Sequence, residues 1–461
     1  MWFEFTGPPM KHAGSRRAFL RSSFLGGTGL LILSNPKLAF GTTANSKLNI
    51  AGIGVGGQGR GNLDALASLG ENLVALCDVD QVRAGDIYQK HPKARRFTDF
   101  RRMLDEADAD IDAVMVATPD HTHAVAAVDA MLRKKHVYCE KPLTRTVREA
   151  RVMRETALKM KVATQMGNQG SASDGLRRGA ELVLGGAIGE VREAHVWFDG
   201  GNGPLERPAE TPPVPATLSW DVWLGPAEAR PYHPTYLPAN WRGWRAFGSG
   251  IVGDFGCHTA NLMFRALRLA DLWNAPRSAS PARLVVHVEA HPSERNLEGY
   301  PKSSRITLDL PARGELPPVK LTLWAKDKPP VDLMLGYPQQ GWGDLLVGAK
   351  GSIYSECPWN MRFTLLPENR FADVKAGPPQ ILPKSTGHHQ EWVQACKGEG
   401  TPFSPFEIGG PMTELMQLAN LATLVEGPFD YDIVSGRILN NDRAQQLTHR
   451  EYRAGWRLGE G

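Results

Sequence analysis

Apolar positions after residue 47 follow two rhythms. Up to about residue 170 the chain carries short runs, 48–55, 73–77, 112–117 and 137–139, that are apolar at nearly every position. Continuous runs of that length mark strands buried on both faces, as in parallel sheets. Between them, 62–69, 81–89 and 123–133 space their apolar residues three and four apart, which predicts helices; a helix over Val147–Met160 and a strand over 162–166 follow. Such alternation predicts a doubly wound parallel sheet.

Beyond residue 170 the rhythm changes to strict alternation, at 191–198, 284–290, 305–310 and 319–324. Period-two patterns predict half-buried strands and an antiparallel sheet. A helix is expected over 255–269. Before it, 199–253 is dense in Gly and Pro and carries Trp220, Trp223, Tyr232, Tyr236, Trp241 and Trp244. Loops of that length are functional or disordered, and so many aromatics argue for order. No internal repeat is apparent.

The chain has 461 residues and a net charge of +4, with acidic and basic side chains interspersed. No basic cluster alternates with aromatics, so nucleic acid is not an expected partner. Ser15, Arg16, Arg17, Ala18, Phe19 and Leu20 form a twin-arginine export signal, which implies the twin-arginine export machinery as a partner and a periplasmic or otherwise exported product. The apolar stretch 24–33 is interrupted by Gly26, Gly27 and Gly29. It is shorter than the roughly 20 residues that span a bilayer, so it reads as a signal core and no membrane span is expected. Cys77, Cys139, Cys257, Cys357 and Cys396 form no CxxC pair, which points to free thiols rather than a metal site or a disulfide framework.

Gly54, Gly56, Gly57, Gln58 and Gly59 fit GxGxxG between an expected strand and an expected helix, with Arg60 next. Glycine lets the backbone turn sharply and approach a pyrophosphate, whose charge is met by amides at the helix start. Asp78 closes the second strand, where a carboxylate accepts from the adenosine ribose and favours NAD over its 2′-phosphorylated form. Thr118 and Pro119 end a later strand on the same crevice. His121 and His123 form an HxH pair with no third ligand nearby, so local hydrogen bonding is preferred to a metal.

Glu140, Lys141 and Pro142 follow the fourth of the buried runs, which puts a lysine at the carboxyl edge of the sheet. Asp254 and His258 stand four apart, on one face of the expected helix. With these motifs, Gln165 to Gln169 and Gly248 to His258, the chain resembles the glucose-fructose oxidoreductase, inositol dehydrogenase and rhizopine-catabolism (Gfo/Idh/MocA) family. Trp220 to Pro226, Trp241 to Trp244, His389 to Trp392 and Tyr452-Arg453 resemble a secreted subset of it. The resemblance implies an α/β fold: an N-terminal Rossmann doubly wound parallel sheet, then a C-terminal α/β domain with an open, mostly antiparallel sheet. The expected divisions are a signal peptide at 1–45, an NAD-binding domain at 46–170 and a substrate domain at 171–461.

It also implies Lys141, Asp254 and His258 as the catalytic group, and adds His123, Glu140, Lys141 and Gln169 to the cofactor set. Oxidising a secondary alcohol needs a base for the hydroxyl proton while hydride leaves the carbon, and a neutral imidazole suits that step. His258 is the candidate base. Lys141, kept an ammonium by Glu140 or the cofactor phosphates, stabilises the alkoxide, and Asp254 orients His258. The base assignment is left open between His258 and Lys141. Trp241 and Arg242 join Lys141, Asp254 and His258 as expected sugar contacts.

The expected function is NAD-dependent oxidation of a hydroxyl on a sugar, polyol or glycoside, with a tightly held, internally recycled cofactor. One alternative is glycoside cleavage through transient oxidation and elimination; another is a non-catalytic nucleotide or sugar sensor. An exposed sheet edge in the second domain is compatible with a homo-oligomer.

Overall fold

The computed structural model describes residues 47–274, 283–376 and 380–459; the export signal expected at 1–45 lies outside them. The continuous apolar runs form a six-stranded parallel sheet of β1 (Asn49–Ile53), β2 (Asn72–Cys77), β3 (Arg95–Phe97), β4 (Ala113–Val116), β5 (His136–Glu140) and β6 (Thr164–Gly167). Its order is β3-β2-β1-β4-β5-β6. Helices α1 (Gln58–Ser68), α2 (Gly85–Lys90), α3 (Phe100–Ala107), α4 (Asp120–Leu132) and α5 (Val147–Met160) connect the strands. The strand order reverses between β1 and β4, and that switch point opens a crevice at the carboxyl ends of the strands.

Local chemistry explains where expectation and structure part. The helix expected at 81–89 starts only at Gly85, because the Asp80 carboxylate first accepts from the Val82 and Arg83 amides at 3.1 and 3.2 Å and holds a turn. Neither β3 nor α3 was expected. Strand β3 is a three-residue edge strand with Arg95 and Arg96 exposed, so it carries no apolar run. Helix α5 keeps its expected bounds through a capping box: Thr146 Oγ1 accepts from the Glu149 amide, and Glu149 accepts from the Thr146 amide at 3.0 Å.

After α6 (Asp174–Leu184) comes β7 (Val191–Phe198), and then α7 (Trp220–Leu224) within the aromatic segment. Next are α8 (Gly250–Thr259), α9 (Asn261–Ala266) and α10 (Asp271–Asn274). Strands β8 (Val285–Pro292), β9 (Ser304–Leu310), β10 (Val319–Ala325), β11 (Gly343–Gly348), β12 (Gly351–Ser355) and β13 (Thr364–Leu366) follow. The chain closes with α11 (His388–Cys396), α12 (Phe406–Ala422), β14 (Phe429–Asp432), β15 (Arg437–Ile438) and α13 (Asp442–Leu447). The second sheet runs β13-β12-β11-β7-β10-β9-β8-β14-β15 and is antiparallel except for the β7–β10 pair.

The single helix expected over 255–269 is two. The Leu262 amide donates to Asn360 Oδ1 and the Met263 amide to Asp344 Oδ2, each at 3.0 Å, so the ladder stops at Thr259 and restarts. One apolar core runs through both sheets, with α12 packed on α5 and α8. All five cysteines are free, and all but Cys357 are buried. Among the described residues no helix is long and apolar enough to cross a membrane.

Candidate active site

The loop leaving β1 is shaped by what it approaches. Gly54 has φ +76°, and a Cβ there would lie 2.7 Å from the Ala117 carbonyl; a Cβ on Gly59 would run into the Gly54 carbonyl. No other residue fits this turn against the end of β4. Above the loop lies a cavity of about 580 Å³, lined among others by Gly54, Gly56, Gln58, Asp78, Thr118 and Pro119, with Glu140, Lys141, Gln169, Asp254 and His258 further along. Its position at the switch point, its volume and its glycine floor fit a dinucleotide.

Asp78 Oδ2 accepts from the Val55 and Gly56 amides at 2.9 and 3.0 Å, and Oδ1 from the Asp80 amide at 2.9 Å. Burial pushes this carboxyl up against those three donors. Three of the four acceptor sites of the carboxylate are thus taken, and Oδ1 keeps one lone pair for a ribose hydroxyl.

Several expected cofactor contacts fall elsewhere. Arg60 turns to the surface and pairs with Asp86 at 2.6 Å, and Gly57 and Gly59 shape the turn without lining the cavity. His123 does line the cavity, with both ring nitrogens against main-chain carbonyls, Pro142 at 2.9 Å and Thr118 at 2.7 Å, so the ring also clamps the loops after β4 and β5. His121 sits 2.9 Å from the Trp223 carbonyl. Among the described residues no group of three or more His, Cys, Asp or Glu is arranged to hold a metal ion.

Lys141, Asp254 and His258 come together on one wall. Lys141 Nζ donates to Asp254 Oδ1 at 2.5 Å and to the Asp254 carbonyl at 2.8 Å, and Arg242 Nε stands 3.4 Å from Asp254 Oδ2. The carboxylate bonded to Lys141 is therefore Asp254 and not Glu140. Glu140 Oε1 instead accepts from Asn62 at 2.8 Å and Gln169 at 3.0 Å. Burial would raise the Asp254 carboxyl, but the Lys141 and Arg242 cations hold it below its usual value.

Asp254 is a full turn inside α8, not an N-cap, and its side chain is engaged by Lys141 rather than by His258. His258 Nδ1 is buried with no hydrogen-bond partner. Burial and the Lys141 ammonium push this imidazole well below its ordinary value, which keeps it neutral.

The aromatic segment does two jobs. Its start pairs with the loop after β2, Ser219 N donating to Val79 O at 2.8 Å and Gln81 N to Thr217 O at 3.1 Å, so Leu218, Val222 and Trp223 wall the cavity. Trp220, Tyr236 and Trp244 are instead buried with Trp223 and Phe247 in a small core of their own. The expected sugar contact Trp241 lines the cavity, as does Trp223, and the Arg242 guanidinium lies 4.2 Å from the centre of the Trp241 ring.

Three site residues escaped the sequence reading. Asp120, first residue of α4, lines the cavity with Oδ2 buried and unpartnered; burial and the Asp254 carboxylate push it up to about 7, against the pull of Arg242, Ser249 and Lys141. An acid directly after Thr118-Pro119 was a readable signal. Phe255, with its ring centre 5.4 Å from Lys141 Nζ, and Trp359, 6.3 Å from His258, carried none, because long-range packing brings them in.

Comparison with known proteins agrees with the fold. Residues 48–168 match the Gfo/Idh/MocA oxidoreductase family model for the NAD-binding Rossmann fold, and 201–267 match the family's C-terminal alpha/beta domain. A glucose-6-phosphate 3-dehydrogenase of Bacillus subtilis is 27% identical over 32% of this chain and 41% of its own length. An alpha-N-acetylgalactosaminidase of Shewanella oneidensis is 36% identical over 23% of this chain and 25% of its own. Each match thus spans less than half of the relative. The WlbA dehydrogenase of Bordetella pertussis, solved with NADH and UDP-GlcNAcA, shares the fold at a TM-score of 0.53 and 16% identity, over 83% of this chain and 98% of that one.

Proposed function

We infer that this chain, which carries the NAD-binding Rossmann domain of the Gfo/Idh/MocA oxidoreductase family, oxidises a hydroxyl of a sugar, polyol or glycoside. The observation that carries the reading is the meeting of Lys141 and His258 in the cavity above the glycine loop. NAD bound there supplies a hydride acceptor. Gly54, Gly56, Gln58 and Asp78 hold it, with Thr118 and Gln169 further along the crevice.

The chain's own residues move the proton. An ammonium has three N–H donors, and Asp254 takes two of those of Lys141, leaving one for the substrate oxygen as it becomes an alkoxide. Neutral His258 has a lone pair free to take the hydroxyl proton, and the positive Lys141 lowers the cost of ionising that oxygen. Asp254 fixes the ammonium and balances its charge. Phe255 and Trp241 keep water from the reacting edge.

Glycoside cleavage through transient oxidation uses the same residues, and the likeness to a glycosidase favours retaining it as the second reading. Release of aglycone from a nitrophenyl glycoside without added NAD separates it from net oxidation, which instead accumulates keto-sugar and reduced cofactor.

We further propose export through the twin-arginine pathway, supported by Ser15 to Leu20. A cofactor leaving the cytoplasm with its enzyme must stay bound, so acid extraction of purified protein is expected to release NAD(H). An extract without nicotinamide, at full protein recovery, contradicts closed recycling. Replacing Arg16 and Arg17 by lysine is expected to hold the protein in the cytoplasm; unaltered export argues against the signal.

A further inference from the structure

Trp359 lies beside the catalytic group and is 43% exposed, and Met361 nearby is 57% exposed. Exposed rings of this size are normally mobile or covered. This one is fixed. Asn360 is fully buried, at φ +52°, with its side chain accepting from the Leu262 amide at 3.0 Å and its own amide donating to Cys357 O at 2.8 Å. Ser355 Oγ donates to the Arg362 carbonyl at 2.8 Å and closes the loop from the other side. The loop then docks on Gly170 and Gly175, where any side chain would run into the Trp359 and Met361 carbonyls.

This pinned loop sets the indole 6.3 Å from the His258 ring; the Phe255 ring is 6.2 Å from His258 and 4.7 Å from Trp342. A sugar ring held by Lys141 and His258 has Phe255 beside it. A group attached to that ring meets Trp359 at the mouth.

We propose that Trp359 is the platform of a second subsite, and that the substrate is a glycoside or oligosaccharide whose second ring lies on this indole while the first is oxidised. The inference rests on the redox reading above and deepens it. A pyranose ring offers a face of C–H groups to an aromatic plane and keeps its hydroxyls in water, which suits a half-exposed, immobile indole. A free monosaccharide, held by Lys141, Asp254 and His258, gains nothing from it.

The test uses the cofactor-loaded full chain and matched pairs of glucose, galactose and N-acetylglucosamine with their β-1,4-linked disaccharides. Binding is read by calorimetry and oxidation by reduced-nicotinamide fluorescence. The disaccharide of the accepted sugar is expected to bind about tenfold tighter than its monosaccharide. Trp359→Ala is expected to raise Kd and KM for the disaccharide by about tenfold and those for the monosaccharide far less, and Trp359→Phe to restore most of the loss. Equal effects on both members of a pair, or none on either, overturn the platform and leave the redox reading standing. Unaltered sugar constants with a shift to smaller species in sedimentation also overturn it, and assign Trp359 to contact between copies of the chain. Cofactor reduction lost for every sugar in Lys141→Ala alone tests the redox reading separately.

Discussion

At the scale of single residues, charge and burial divide the work. His258 is neutral because it is buried beside an ammonium, and Lys141 is held by Asp254. Removing either is expected to slow oxidation by about 10²- to 10⁴-fold, as for a general acid–base group, with NAD affinity retained; steady-state kinetics beside a cofactor titration checks this. Asp120 sets the local charge with pH. Its carboxyl is pushed up to about 7 in the fold, from an ordinary 3.8. The folded chain therefore binds more protons than the unfolded one between those values, so this group's contribution to stability is full below about pH 4 and is lost as pH rises through 7. Asp120→Asn is expected to raise the melting temperature more at pH 8 than at pH 5, and to remove an inflection near pH 7 from the rate profile. An unaltered pH dependence in both measurements counts against this role. Lys141, Asp254 and His258 were singled out through the resemblance to the family, and the structure brings the three to one cavity. The sequence misdirected Asp254 toward His258, since spacing on one face does not reveal a partner arriving from another sheet.

At the scale of elements, legibility followed how local the determinants are. Helix α5 was readable to its ends because Thr146 and Glu149 cap it within one turn. Glu149 also accepts from the Tyr452 hydroxyl at 2.7 Å, tying the C-terminal tail to the first sheet. Thr146→Ala is expected to cost about 1 kcal/mol in chemical denaturation, and Glu149→Ala distinctly more, because Tyr452 and Arg450 lose a buried partner. Equal losses would mean that the tail contact contributes nothing. Helix α12 was not legible. Gly409, Gly410 and Pro411 disfavour a helix by propensity, yet Gly409 packs on Met166 and Gly410 on Arg154, and the helix is buried almost throughout. Tertiary packing there outweighs propensity.

At the scale of the whole molecule, two sheets share one core, and the cavity draws on both. Lys141 comes from the carboxyl end of β5; Asp254 and His258 come from α8, which packs against β7 and β10 of the second sheet. Parallel and antiparallel sheets were both readable from the two rhythms, because burial on two faces or one is written into every strand. The joining of the sheets by α12 was not, because it depends on residues far apart in the chain, Gly409 with Met166 and Met416 with Gly256. Its consequence is mechanistic: the lysine–aspartate pair exists only when both sheets are in place.

The most direct measurement is a single turnover of the cofactor-loaded protein with an accepted sugar, following reduced nicotinamide in wild type, Lys141→Ala and His258→Ala. The account predicts a fast rise in wild type and one slower by about 10²- to 10⁴-fold in either variant, with equal cofactor content in all three. A variant that binds NAD normally and reduces it at the wild-type rate would contradict the claim that these two side chains act on one reacting alcohol.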